Sequence, residues 1–272
     1  MSAAAESKQS VEVLNELFSK LAIATPDNVD DAATNVASFL NGEIIEHDVP
    51  VEFFQELKKA IKDKKAAANA LEAIAHIASA SDLSPSVEPY IVELTGDICE
   101  KTGDKQQEVR AVANKALTAL VNAITPVAIK DILPRLIERL STTSKWQEKV
   151  AILGAISLFV DNAKDQLALR MTDLIPVLSE AMWDTKSDVK EAATECMTKC
   201  TATVENKDIE PFIPKLIASI ANPKEVPETV HSLGATTFVS EVTTAALSIM
   251  SPLLSRGLAE RDTSIKRKSA VI

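Results

Sequence analysis

Three cysteines, three histidines and two clusters of basic residues are the side chains of this 272-residue sequence best suited to chemistry or ligand binding. Cys196 and Cys200 stand four apart, which on a helix places both thiols on one face and offers a metal two thiolates. No histidine or third cysteine lies nearby to complete a shell, so the pair reads as core packing beside Met197. His47, His76 and His231 are scattered, and no nucleophile elbow accompanies them. His47, in a connector, reads as a surface contact. The six glycines form neither G-x-x-x-x-G-K-[ST] nor G-x-G-x-x-G, and there is no C-x-x-C or H-E-x-x-H. These residues assign no catalytic group and no metal site.

The basic clusters are the stronger candidates. Lys58, Lys59, Lys62, Lys64 and Lys65, with Asp63, carry +4 over eight residues. Arg256, Arg261, Lys266, Arg267 and Lys268, against Glu260 and Asp262, carry +3. The whole chain, with 29 basic and 39 acidic residues, is at −10 with its histidines neutral. That charge disfavours coating nucleic acid over the whole surface, but local islands can still meet phosphate by releasing counterions. The competing reading is a solvated helix end, where lysine complements the C-terminal dipole.

The elements that position these groups are helices. Aromatics are 4% of the chain, glycines are few, and Ala and Leu dominate the periodic segments. Prolines recur early in an apolar helical pattern at Pro50, Pro89, Pro134, Pro176, Pro214 and Pro252, with steps of 39, 45, 42, 38 and 38. A second series, Val109, Val150, Val189, Val230 and Ile265, opens Ala-rich helices at steps of 41, 39, 41 and 35. Each unit of about 40 residues is therefore two helices, A with the early proline and B with the Val or Ile, at HEAT-type spacing. The expected fold is an all-α, right-handed α-solenoid of about six such pairs, one domain over 1–272, truncated inside the last repeat. A helix near Val11–Ala24 is expected to cap it after a flexible polar leader at 1–10. Trp146 and Trp183 are expected to pack between layers. Ala151–Val160, the longest apolar or small stretch, is short of the roughly 18 residues that cross a bilayer. The N-terminus has no export signal pattern, and three cysteines suit a reducing compartment.

Longer strings are more specific. NGEIIEHDVP (41–50), LSPSVEPYI (83–91), KWQEK (145–149), AKDQLALRM (163–171), SEAMWD (179–184), NKDIEPFIP (206–214), PKEVPETVHSLGATTFVSEVT (223–243) and LLSRGLAER (253–261) closely resemble the N-terminal region of the fungal translation elongation factor 3 family. The resemblance implies a ribosome-binding HEAT arm of a cytoplasmic, ribosome-dependent ATPase whose ATP-binding cassettes lie downstream. It implies small-subunit rRNA and proteins as partners, and it favours ribosome contact by the two basic islands. Through the parent protein it implies release of deacylated tRNA from the exit site and aminoacyl-tRNA delivery by elongation factor 1A. It also implies a peripheral nucleotide contact at Ile45, His47 and Ser86; ATP otherwise belongs to the parent, with no catalytic cofactor bound here. Neither DNA nor a membrane is an expected partner. HEAT spacing and acidic charge alone fit a protein-only scaffold or transport adaptor equally well, and only the specific strings disfavour it.

Overall fold

The computed structural model describes residues 3–42, 51–79 and 83–272. These fold as an all-α solenoid class of helix pairs, with no strand among the described residues. The helices cluster into two compact units, Met1–Ala155 and Ile156–Ile272, divided within one helix.

The first unit holds α1 (Ala3–Ala22), α2 (Val29–Gly42), α3 (Val51–Lys62), α4 (Ala67–Ser79), α5 (Glu88–Glu93), α6 (Thr95–Thr102), α7 (Gln107–Ala123), α8 (Ile129–Thr142) and the start of α9 (Trp146–Asn162). The second holds the rest of α9, α10 (Lys164–Ala168), α11 (Met171–Ala181), α12 (Ser187–Thr201), α13 (Ile213–Ala221), α14 (Val226–Leu233), α15 (Thr244–Ala259) and α16 (Thr263–Val271).

Among the described residues the helices group into seven pairs, close to the expected six. The segment after the first helix is a second helix, α2, that packs on α1 and α4. Helix α1 also starts at Ala3, eight residues before the expected Val11, because the Ala-rich leader is itself a good helix former. Pro89 and Pro214 occupy first-turn positions, as their missing N–H favours. Pro134, Pro176 and Pro252 instead lie inside α8, α11 and α15, where each removes one i→i−4 hydrogen bond.

In the first unit the B helices α2, α4 and α7 pack in sequence, and nine of the thirteen residues of α4 are buried. Phe18, Phe53, Phe54 and Tyr90 form a chain of ring contacts at 5.0–5.5 Å that ties α1, α3 and α5. In the second unit Phe159, Leu174, Leu178, Val189 and Met197 are fully buried. There Gly257 lets α15 and α16 approach closely, since a Cβ at that position would lie 2.1 Å from Ser269 Oγ.

Candidate functional site

The N-terminal basic island divides in two. Lys58 and Lys62, one turn apart on α3, both face Asp97 of α6, at 3.8 and 3.2 Å, and Lys59 meets Glu56 at 2.6 Å. Lys64 and Lys65 are exposed in the turn between α3 and α4. Three of the five lysines thus have a carboxylate beside them that the local sum of +4 did not count.

The C-terminal island divides as well. Arg256 turns inward: its Nη1 donates to the carbonyls of Ser219 (2.7 Å) and Ile220 (2.6 Å), at the end of α13. Its guanidinium lies 5.3 Å from the Trp183 ring centre, and Trp183 Nε1 donates to the same Ile220 carbonyl at 3.0 Å. Desolvation shifts Arg256 below the ordinary arginine pKa. Arg256 therefore satisfies a helix C-terminus rather than facing a partner. Lys268 hydrogen-bonds His231, whereas Arg261, Lys266 and Arg267 are exposed. Both tryptophans differ from the expected buried packing. Trp146, the first residue of α9, is 38% exposed, and Trp183, in the turn after α11, is 48% exposed.

A recurrent feature that the sequence reading missed joins these turns. Before each of six B helices, a side-chain oxygen accepts from the backbone N–H two residues on. The pairs are Asp63 to Lys65 (2.8 Å), Asp104 to Gln106 (3.0 Å), Thr143 to Lys145 (3.2 Å), Asp184 to Lys186 (2.9 Å), Asn222 to Lys224 (3.2 Å) and Asp262 to Ser264 (2.7 Å). Asp63 and Asp104 are held below the ordinary Asp pKa chiefly by these backbone amides. A basic residue lies in or beside every one of these turns: Lys64 and Lys65, Lys105, Lys145, Lys186, Lys224 and Arg261, all exposed. The available signal was Asp, Asn or Thr followed within two residues by Lys, ahead of five of these six helices.

The nucleotide-contact expectation is only partly reached by the described residues. Ile45 and His47 lie outside them. Ser86 sits in the turn before α5, where the amides of Val87 and Glu88 both donate to Ser84 O, and the next ionisable group is the buried Glu88. The Glu88 carboxylate accepts from Thr125 N and Oγ1. The turn itself carries no basic side chain among its described residues.

Other titratable groups are structural. Glu148 of the KWQEK string is fully buried; its Oε1 accepts from Arg139 Nε (2.8 Å) and Nη2 (2.5 Å), and its Oε2 from Thr143 Oγ1 (2.6 Å). Asp30, Glu72 and His76 converge, but Lys115 already pairs with Glu72 and lies 3.9 Å from Asp30, supplying the positive charge there. Cys196 and Cys200 are buried in α12 with sulfurs 3.9 Å apart, as core residues. The Cys200 thiol is pushed up by its hydrogen bond with Cys196 and by burial.

Comparison with known proteins places these features in context. The profile described as "EF3 N-terminal HEAT repeat" matches residues 29–197, and "Elongation factor 3/GNC1 HEAT repeat" matches 224–272. The chain is 68% identical over 267 residues to Elongation factor 3 of Zygosaccharomyces rouxii, covering 98% of this chain and 26% of that protein. Elongation factor 3A of Saccharomyces cerevisiae is 66% identical with the same coverages. Elongation factor 3 of Candida albicans is 65% identical over 274 residues, covering 100% of this chain and 26% of that protein. The chain thus spans about a quarter of the length of these relatives. A solved structure titled "Crescerin uses a TOG domain array to regulate microtubules in the primary cilium" has a TM-score of 0.52 at 15% identity, covering 85% of this chain and 93% of that one. That likeness is one of fold alone.

Proposed function

The chain belongs to the elongation factor 3 family as the HEAT-repeat region of a fungal translation elongation factor, and from that premise we propose that it docks its parent protein on the ribosome. The observation that carries this reading is identity of 65–68% to Elongation factor 3 proteins across essentially the whole chain. The partners are small-subunit rRNA and ribosomal proteins, met in the cytoplasm. The parent's ATP-binding cassettes do the chemical work, helping deacylated tRNA leave the exit site and promoting aminoacyl-tRNA delivery by elongation factor 1A. The part of this chain is to bind and orient. The chain's own residues suit that division: a set of its exposed cations lies in turns held by side-chain caps, and Arg139 and Glu148 pair in the interior.

Co-sedimentation of the purified chain with small ribosomal subunits tests the reading. Binding that weakens as salt rises is the expected result, because phosphate contacts release counterions. Failure to sediment with subunits at any salt concentration would overturn it.

A further inference from the structure

We infer that the ribosome-facing edge of the first unit is the row of turns joining A to B helices, and that this row takes an RNA phosphodiester backbone on Lys64, Lys65, Lys105 and Lys145, with Trp146 as a surface for base stacking. The inference rests on the ribosome-docking reading and assigns it to residues.

The turns are neighbours in space. The stem of Lys145 lies across the α6–α7 turn: a Cβ on Gly103 would be 2.6 Å from Lys145 Cδ and 3.1 Å from its Cβ. Helix α3 packs on α6 and α4 on α7, with Lys58 and Lys62 of α3 against Asp97 of α6, so the α3–α4 turn lies beside the α6–α7 turn. The three turns therefore form a continuous edge, and only glycine at 103 leaves room for the lysine stem to cross it. The acids within this edge spend oxygens on helix amides: Asp63 Oδ1 accepts from Lys65 N and Ala66 N, and Asp104 Oδ1 from Gln106 N. The lysines beside them are exposed and have no carboxylate within 4 Å among the described residues.

The geometry selects a polymer. Packed helices lie about 8–10 Å apart, so cations carried by successive turns recur at roughly that step. A small anion would meet one of them, whereas an extended polyanion meets each in turn. The positive ends of B helices point to the same edge and favour negative charge. Trp146, adjacent to Lys145 and 38% exposed, adds an aromatic face of the kind on which any base can stack. By contrast Lys58, Lys59 and Lys62 project from the body of α3 with Asp97 and Glu56 beside them.

The test compares two charge-matched variants of the full chain: Lys65→Gln/Lys105→Gln/Lys145→Gln in the turns, and Lys58→Gln/Lys59→Gln/Lys62→Gln on α3. Both should keep wild-type far-UV helicity, since Gln and Lys have similar helix propensity. Each is titrated against small ribosomal subunits across a salt series, and against deproteinised small-subunit rRNA. At about 0.7–0.9 per phosphate contact, the turn variant should lose about 2 units of log–log salt slope on both targets and bind at least ~10-fold more weakly. The α3 variant should change the slope by less than one contact. A turn variant that binds like wild type would overturn the inference. So would loss of subunit binding with rRNA binding intact, which would identify an acidic protein surface as the partner. If wild type shows no salt-sensitive subunit binding, the docking reading itself fails instead.

Discussion

Trp183 and Arg256 share one acceptor, the Ile220 carbonyl, and this clamp is the clearest case where a single side chain differs from its sequence expectation. With 48% of its surface in solvent, Trp183 has less to lose than a buried tryptophan, whose removal costs about 3–5 kcal/mol. Trp183→Ala should therefore cost about 1–2 kcal/mol in urea denaturation, from one hydrogen bond and half a ring's burial. A double-mutant cycle with Arg256→Ala should return a coupling of roughly 0.5–1 kcal/mol for the cation over the ring. The cysteines give a second expectation at this scale. The Cys99 thiol is pushed up to about 12, first by burial and then by the nearby Glu148 charge. Hardly any thiolate exists there at pH 8, so iodoacetamide should leave Cys99 unmodified in the native chain and label it promptly in denaturant. Native labelling at the rate of a free thiol would show that the site opens.

At the scale of the helix, the caps make stability depend on pH. Asp63 and Asp104 have folded-state pKa values below the unfolded value, near 4 for an Asp. Their caps therefore stabilise α4 and α7 above that value, and the contribution is lost as pH falls through the folded pKa. The urea midpoint should hold between pH 7 and 5 and fall below about pH 4, and Asp104→Asn, which still caps, should flatten part of that fall. Hydrogen exchange should be slowest in α4 within the first unit, because α4 buries nine of thirteen residues and α3 only four of twelve. The helix pairs themselves were legible, since a 40-residue step and an apolar stripe are properties of the chain alone. The position of Pro134, Pro176 and Pro252 inside their helices was not. An apolar pattern around proline looks the same whether the helix starts at that residue or one to two turns earlier.

For the whole molecule, a net charge of −10 makes any contact with a polyanion depend on where cations lack partners, and that is a three-dimensional property. The sequence showed five lysines between 58 and 65, but it could not show that Asp97, more than thirty residues away, stands against two of them. Equally, Lys105 and Lys145 stood alone in sequence and looked unremarkable until their turns were side by side. Stability should follow the same near-neighbour logic. In arrays of helix pairs each repeat contacts its neighbours, so stability is a sum of local terms rather than one cooperative quantity. Leu174 is fully buried in α11 of the second unit, and Leu174→Ala should cost about 2–5 kcal/mol there through lost burial and a residual cavity. Hydrogen exchange by mass spectrometry should then show faster exchange in α11 and in α12 and α15, which both pack on it, with α4 and α7 of the first unit near wild type. A single-repeat lesion that raised exchange equally in α4 and α7 would mean that the 272 residues unfold as one unit. The two contact-defined halves would then have no separate thermodynamic existence.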